Sequence, residues 1–436
     1  MQAPFRRSRN RSVWLQFHLY FALLFGLLFA LTGLTGSLSV YREEIDALLS
    51  EPLRADRPPG DALVLDKIIA SVRQAHPNRH GAWTLELPRS ENAMITAWFD
   101  KPRESVDEFY APLMVSVDPY SGKVTGSHFW GQTPTTWLLD LHSHLLLSSD
   151  GRLIMAAAAV LLALSIVSGL YLWWPTAGWR RSFRLRLVGD LKHLLLDVHR
   201  LLGLFSAGIL LLLAFTGFHL AYPQLLENLT ASAGMGHGDE GPNVRSTAVP
   251  NNHPVSLAEA ILVARGLFPS SEVRRITTPV GELGTYRINL RQKNELNQHH
   301  PFTTVWVDRW SGQIRSVNNP SQFSPGQTFT TWQWPLHTGE AFGETGRLIW
   351  FVTGLMPMTL YLTGLYHWLS RTGRIRAQRI DAPRLAMTAL LRADDFIVRQ
   401  GRKAWRAIGP RLMRRLRALS ADWHNANRDA PKDWFD

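Results

Sequence analysis

The chain has 436 residues, no cysteine and a formal net charge of +12. The lack of cysteine excludes disulfides, covalent c-type haem and cysteine-ligated iron–sulfur clusters. Nucleic acid is a rival explanation of the charge, but four apolar segments reach the length of about 20 residues that crosses a bilayer, and these indicate an α-helical membrane protein instead.

The first half of the chain begins with a basic segment and a long apolar one. Residues 1–12 contain four arginines and no acid, and residues 13–41 form the first predicted transmembrane helix. This helix is too long for the core of a signal peptide, so we expect it to be retained. Residues 42–140 are ordinary polar sequence, and residues 141–174 carry a Leu-His motif followed by the second predicted span.

The second half has the same organisation. A basic link over residues 175–198 leads to the third predicted span, 199–222, and to a second polar segment, 223–335. Residues 336–369 carry a Leu-His motif and the fourth span, and residues 370–436 form a basic tail. Because basic residues remain on the cytoplasmic side of membranes, we expect both termini in the cytoplasm and both polar segments in the periplasm.

The two halves also match in sequence. Each copy consists of a span, a polar segment and a second span, so the copies are predicted to be parallel repeats related by a pseudo-twofold axis along the membrane normal. The aligned residues are His18 and His199, Thr35-Gly36 and Thr216-Gly217, at an offset of 181, and His142 and His337, Ser168-Gly169 and Thr363-Gly364, at an offset of 195.

Each polar segment is predicted to form a small α+β domain, with one helix that ends near Pro77 or Pro269. The sequence Val-Asp-x-x-Ser-Gly, beginning at Val117 and at Val307, predicts a turn between two antiparallel strands. The fold class is therefore a four-helix transmembrane bundle from an internal duplication with two periplasmic α+β domains. A flexible insertion is predicted over residues 234–243, and an amphipathic stretch from Lys403 to Leu419 is predicted to lie on membrane lipid.

The repeat-matched histidines are candidate metal ligands. His18 precedes Thr35 by 17 residues, about 26 Å of helix, which puts His18 and His199 near the cytoplasmic edge. His142 and His337 precede their spans on the exterior side. A b-type haem is held without covalent bonds by one histidine on each face of its iron. Because equivalent residues meet on a twofold axis, we predict two haems, one between His18 and His199 and one between His142 and His337.

Other histidines remain alternatives. His219 and His367 have leucine at the matched position, and either haem ligation or an interhelical hydrogen bond fits them. His367 is predicted to be level with His18 and to be able to replace an inner ligand, and His144 is an alternate outer ligand that points away from His142 on a helix. The histidines expected to be solvated in loops are His193, His237, His253, His299 and His300. Hydrolase, P-loop and dinucleotide-binding motifs are missing from the sequence.

These motifs together resemble the PepSY-associated transmembrane family, iron-regulated inner-membrane proteins that include ferric-siderophore reductases of Gram-negative bacteria. The resemblance covers about residues 12 to 370. The matching motifs are the first histidine with Leu-Thr-Gly, Leu-His before Gly-Arg-Leu, Ser-Gly-Leu-Tyr-Leu-Trp-Trp-Pro, Asp-Val-His-Arg-x-x-Gly, and Leu-His-Thr-Gly with Gly-x-x-Gly-Arg.

The resemblance implies a protein with two b haems in the bacterial inner membrane. Such a protein passes electrons outward and reduces Fe(III) held by a periplasmic siderophore, and the family pattern supports the same four histidines as ligands. The electron donor is expected to be a quinol or an unidentified membrane or cytoplasmic partner. Two alternatives stay open: a cofactor-free anchor whose PepSY domains bind peptides or regulate proteases, and a siderophore transporter, although the spans carry almost no charge to bind a substrate.

Overall fold

A computed structural model of the chain describes the residues 9–49, 63–89, 93–108, 110–175, 182–232, 242–249, 253–376 and 379–381. Most of the predicted basic N-terminus, residues 234–241 of the predicted insertion, and the predicted amphipathic stretch from Lys403 to Leu419 lie outside the described residues. The chain divides into two compact units: residues 1–182 with 199–365, and residues 183–198 with 366–436.

Twelve α-helices occur in the described residues. Those of the first half are α1 (Arg9–Val40), α2 (Arg42–Leu49), α3 (Leu65–Ala75), α4 (Pro134–His144) and α5 (Ser148–Trp173). Those of the second half are α6 (Leu191–Ala221), α7 (Pro223–Thr230), α8 (Leu257–Leu267), α9 (Pro325–Thr331), α10 (Gln333–Thr338), α11 (Gly343–Gly354) and α12 (Met356–Arg371).

The structure confirms four candidate transmembrane helices. The segments long and apolar enough to cross a bilayer are Asn10–Val40, Ser148–Trp173, Leu191–Ala221 and Glu340–Arg371. Large apolar side chains point outward from them, among them Leu24, Leu153 and Phe205, as expected for surfaces that face lipid. The fourth segment consists of α11 and α12, which are separated at Leu355. Pro357 lies two residues further along, and its missing N–H removes one backbone hydrogen bond at this break.

Small residues let α1 and α11 approach closely. A Cβ added to Gly33 would lie 2.5 Å from the carbonyl oxygen of Gly354. The hydroxyl of Ser37 donates a hydrogen bond of 2.8 Å to the carbonyl of Phe351. Small-residue contacts of this kind bring membrane helices together, because the attraction between two helices in lipid depends on close packing. They join a helix of the first half to a helix of the second.

The strands form one antiparallel sheet of eight strands in the first unit. The strands are β1 (Thr84–Glu86), β2 (Ile95–Phe99), β3 (Leu113–Val117), β4 (Val124–Phe129), β6 (Glu272–Thr277), β7 (Thr285–Arg291), β8 (Thr303–Asp308) and β9 (Ile314–Asn318). Their order in the sheet is β4-β3-β2-β1-β6-β7-β8-β9. Helices α3 and α8 cover one face with an apolar core that includes Ile68 and Ile288.

Each polar segment supplies one helix and four strands of this sheet, so the predicted α+β organisation is confirmed. The two sets of strands do not remain separate, however. Strand β1 pairs with β6, with Leu85 opposite Ile276, and the eight strands share one core. The predicted turns are present, since Gly122 and Gly312 both adopt a left-handed conformation, with φ of 71° and 67°. Glycine occupies this conformation at little cost.

The second unit is small. Its strands β5 (Val188–Asp190) and β10 (Arg379–Asp381) pair in antiparallel fashion. The guanidinium group of Arg186 donates two hydrogen bonds, of 2.8 and 2.7 Å, to the buried carboxylate of Asp197. A two-point ion pair of this kind holds the link in a defined conformation where it enters α6.

Candidate functional site

The four repeat-matched histidines lie in two facing pairs. The ring centres of His142 and His337 are 6.2 Å apart and their planes are inclined by 39°. The ring centres of His18 and His199 are 6.4 Å apart, with planes inclined by 83°. These are the pairs that the pseudo-twofold axis predicts, and we call them the outer pair and the inner pair. Whether they ligate a metal stays a prediction.

Both separations suit a metal ion bound between two imidazoles. Two metal–nitrogen bonds of about 2 Å each, and about 1 Å from each nitrogen to its ring centre, place the two ring centres about 6 Å apart. Two stacked rings, or two rings joined by a direct hydrogen bond, do not require this separation of the ring centres. Nor do they require the same separation at both pairs. The ring-centre separations of both pairs are therefore compatible with a metal ion between the two rings.

The pairs lie at two levels of the bundle. His18 belongs to the inner pair, and the carbonyl of Thr32, which contacts His142, lies 14 residues further along α1. That is about 21 Å of helix. The hydrocarbon core of a bilayer is about 30 Å thick. The two pairs are thus separated by a large part of the thickness of a membrane, as the prediction of two histidine layers requires.

Neighbouring helices hold the rings of the inner pair through Nδ1. In the first half, Nδ1 of His18 lies 2.7 Å from Oγ of Ser168 in α5. In the second half, Nδ1 of His199 lies 3.0 Å from the carbonyl oxygen of Leu360 and 3.1 Å from Oγ1 of Thr363, both in α12. Each ring is therefore fixed by the other long helix of its own half.

The outer pair is held in the same way. Nδ1 of His142 lies 3.0 Å from the carbonyl oxygen of Thr32 and 3.4 Å from Oγ1 of Thr35 in α1. Nδ1 of His337 lies 2.8 Å from Oγ1 of Thr216 in α6. In all four histidines Nδ1 bonds to a neighbouring helix, so Nε2 is the nitrogen that would bind a metal.

The hydroxyl groups at Nδ1 also assign the tautomer. Each donates its own proton to a backbone carbonyl about one turn earlier in its helix, so the proton between the hydroxyl oxygen and the ring must belong to the ring. Nδ1 is then protonated and Nε2 carries the lone pair, as in metal-bound histidines whose other nitrogen donates to the protein. The hydroxyl donors and their carbonyl acceptors are Ser168 and Ser165 (2.8 Å), Thr35 and Leu31 (2.8 Å), Thr216 and Leu212 (2.8 Å), and Thr363 and Thr359 (2.7 Å).

A glycine follows each of these hydroxyl residues, and it makes room for the ring. A Cβ on Gly36 would lie 2.6 Å from Cε1 of His142, far inside van der Waals contact. The other three glycines have the same relation to a histidine ring. A Cβ added to the glycine would lie 3.2 Å from Cε1 of His18 for Gly169, 3.2 Å from Cε1 of His337 for Gly217, and 3.3 Å from Cε1 of His199 for Gly364. We call each pair of residues a hydroxyl–glycine step. The sequence shows the steps as repeats, but it does not show that they contact the histidines.

The outer pair is electrically neutral near pH 7. Burial lowers the pKa of His142. Burial, and secondarily the proximity of His142, lowers the pKa of His337 to about 3. A neutral imidazole has a lone pair to give to a metal, whereas an imidazolium has none. The protein thus stabilises the protonation state that a ligand needs.

The alternative ligands lie elsewhere in the described residues. Nε2 of His144 lies 3.4 Å from the carboxylate of Asp140, which also accepts a bond of 2.9 Å from the indole of Trp130. His219 is 2% exposed, and its Nδ1 has no hydrogen-bond partner in the described part of the chain. His367 belongs to the second unit, where its Nδ1 lies 3.4 Å from the carbonyl oxygen of Lys192.

The prediction of solvated loop histidines is wrong for His299 and His300. Nδ1 of His299 contacts the carboxylate of Glu340, which is buried at the start of the fourth span. Nδ1 of His300 lies 2.8 Å from the guanidinium group of Arg275, and its ring packs edge-on against Trp334. The loop folds back onto the helical segment beside His337, and loop composition gives no signal for such a long-range contact.

The other loop histidines agree with the prediction where they are described. The side chain of His193 is 43% exposed and lies 3.8 Å from the carboxylate of Asp190, and His253 is exposed. His237 lies outside the described residues.

A family model described as the PepSY-associated TM region matches residues 15–371. The matched residues include the first candidate span from residue 15 onward, the other three spans, both histidine pairs and the four hydroxyl–glycine steps. No curated protein matches the chain.

Thr216→Val should destabilise the protein more than Thr359→Val. Both changes keep the side-chain shape and remove a hydroxyl that bonds its own helix, but only the first removes the acceptor of the His337 N–H. An unpaired buried N–H costs about 1–3 kcal/mol. Thermal unfolding of the two variants in detergent, followed by intrinsic fluorescence, measures the difference. Equal midpoints would contradict the assigned hydrogen bond.

Proposed function

The chain belongs to the family of the PepSY-associated TM region, and we propose that it is a haem-b-containing reductase of the bacterial inner membrane. The observation that carries the proposal is the repeated histidine arrangement: two facing pairs, each ring with Nδ1 bonded to a neighbouring helix and Nε2 as the basic nitrogen. Family membership alone fits a cofactor-free anchor equally well, and the paired rings favour the haem protein.

The residues present fit two b haems. Haem iron can bind one ligand on each face of its porphyrin, and each pair would offer one imidazole to each face. The pairs are His18 with His199 and His142 with His337, and the chain has no cysteine for covalent attachment. When bound, haem would supply reversible one-electron transfer between Fe(III) and Fe(II).

The protein residues have three tasks in this proposal. The hydroxyl–glycine steps orient the rings and keep the proton on Nδ1. The helices surround the pairs with apolar side chains, which exclude water and keep His337 neutral. The spacing of the two pairs along α1 divides the passage of an electron across the bilayer into two parts.

The sequence repeat and the equivalent contacts of the two halves support an internal duplication. The basic segments at both ends and between α5 and α6 support cytoplasmic termini and a periplasmic sheet domain. Helix α4, which carries His142, begins five residues after strand β4 ends. The outer pair would then lie on the side of the membrane where the sheet domain is found.

The proposed electron acceptor is ferric iron held by a periplasmic siderophore. Support for it comes from the family resemblance and from the location of the outer pair beside the sheet domain. Six oxygen ligands bind Fe(III) much more tightly than Fe(II), because Fe(III) is the harder ion. One electron therefore loosens the complex and releases Fe(II). A transporter finds less support, since His and small residues rather than charged groups occupy the interior of the spans.

Purified protein should contain two haems per chain, and His337→Ala should contain one. Removal of one axial ligand from the outer pair leaves the inner pair intact, so the α-band of the reduced protein should fall to about half its intensity. His253→Ala, in an exposed loop, is the matched control and should keep both haems. A colourless, folded wild-type protein would exclude the haem proposal, and two haems in the His337→Ala variant would exclude the outer ligand.

Gly36→Ala should disturb the outer haem, and Gly208→Ala should not. The new methyl group at position 36 would lie 2.6 Å from Cε1 of His142, whereas a methyl group at position 208 meets no atom within 4 Å. We expect loss or conversion of one low-spin haem signal in the first variant only. Identical absorption spectra of the two variants would show that the glycine does not position the ring.

Dithionite-reduced protein, freed of excess reductant, should be reoxidised by ferrioxamine B under anaerobic conditions, with release of Fe(II) to a ferrous chelator. The same siderophore loaded with Ga(III) is the control, because Ga(III) has the size and charge of Fe(III) but accepts no electron. Persistence of the reduced α-band with ferrioxamine and with a ferric catecholate would contradict the proposed acceptor.

A further inference from the structure

Two buried hydroxyl groups in α12 have no hydrogen-bond partner in the described part of the chain. They are the phenol of Tyr366 and the hydroxyl of Ser370. An unpaired buried hydroxyl costs about 1–3 kcal/mol, and native proteins contain few of them. Residues four apart lie on one face of a helix. Two unpaired groups on the same face therefore indicate a place for a binding partner other than the described residues.

His367 lies beside them on the same side of the helix. At about 100° per residue, Tyr366, Ser370 and His367 fall within an arc of about 100°. Nδ1 of His367 makes a long hydrogen bond, of 3.4 Å, to the carbonyl oxygen of Lys192. We call these three residues the polar face of α12. It combines a phenol, an aliphatic hydroxyl and an imidazole, which can each donate and accept a hydrogen bond.

The first half of the chain has no such face. The matched residues are Tyr171, Leu172 and Pro175, and the Tyr171 side chain is 45% exposed. The polar face therefore does not follow from the repeat, and packing of the duplicated helices does not require it. It begins three residues after Thr363, the residue of α12 that bonds His199.

We propose that the polar face of α12 binds the head group of a membrane hydroquinone, which is the electron donor. This inference rests on the proposed function, and it names the donor for that function. A hydroquinone is soluble in lipid, so it reaches a helix that spans the bilayer, and its two hydroxyls both donate and accept hydrogen bonds. These groups match the unpaired Tyr366 and Ser370 hydroxyls.

The redox step balances without a further reactant. Both O–H bonds of the hydroquinone break, and the molecule is oxidised to the quinone with loss of two electrons and two protons. Each electron reduces one Fe(III) haem of the proposed function to Fe(II). The imidazole of His367 accepts one proton and water accepts the other. His367 then releases its proton to water, and the protein returns to its starting state when the ferric acceptor of the proposed function has taken one electron from each of the two haems.

The test uses the full-length, haem-loaded protein in lipid nanodiscs and decylubiquinol as the probe. Wild-type haem should be reduced anaerobically, followed by stopped-flow absorbance. The double variant Tyr366→Phe with Ser370→Ala should be slower by about tenfold or more, since it loses two hydrogen bonds to the head group. Tyr171→Phe is the matched control from the first half and should react like wild type. All variants should keep the haem content and the dithionite-reduced spectrum of wild type.

Binding of oxidised decylubiquinone, measured by calorimetry on the same nanodiscs, separates this inference from the proposed function, because it needs no haem. Binding should weaken by about tenfold in the double variant and stay unchanged in Tyr171→Phe. A protein that dithionite reduces but decylubiquinol and menadiol do not would overturn the inference and leave the proposed function standing. Equal rates and equal binding in the double variant and its control would overturn it as well. A folded wild-type protein without haem would instead contradict the proposed function.

Discussion

The hydrogen bond between a histidine Nδ1–H and a hydroxyl oxygen on a neighbouring helix is the constraint on which the site depends. The hydroxyl has already given its proton to its own helix, as Thr216 does to Leu212, so it can only accept from the ring. This one bond sets the tautomer and the rotation of the imidazole. The glycine that follows lets the ring approach the helix. Without the bond and the glycine, the ring would lose the helix contact that orients it.

Hydrogen bonds within each half orient the single histidine rings, whereas contacts between the halves bring the rings into pairs. His18 and His142 are held by helices of the first half, and His199 and His337 by helices of the second. The pairs themselves form only where the two halves meet. The sheet joins the halves through β1 and β6, and the bundle joins them through α1 and α11. Pairing of the histidines therefore depends on correct docking of the halves along their whole length.

Much of this arrangement follows from the sequence. Apolar length predicts the four spans, and the repeat predicts which histidines face each other, because symmetry applies to pairs that lie far apart in the chain. The sequence does not predict the pairing of β1 with β6, since an edge strand carries no pattern that identifies its partner. It also does not predict the contacts of His299 with Glu340 and of His300 with Trp334, because loop composition gives no signal for a long-range contact. The hydroxyl–glycine steps were visible as repeats, but short residues in membrane helices usually serve helix packing.

The most direct test of the two-pair site is the electron paramagnetic resonance spectrum of the oxidised protein. Ring planes inclined by 83° at the inner pair predict a highly anisotropic low-spin ferric signal, because nearly perpendicular imidazoles leave two iron orbitals almost equal in energy. Planes inclined by 39° at the outer pair predict a rhombic low-spin signal. Both signals, in equal amounts, are the expected result. A high-spin signal, which indicates a haem with fewer than two histidine ligands, or the absence of haem from folded protein, would contradict the two-pair site.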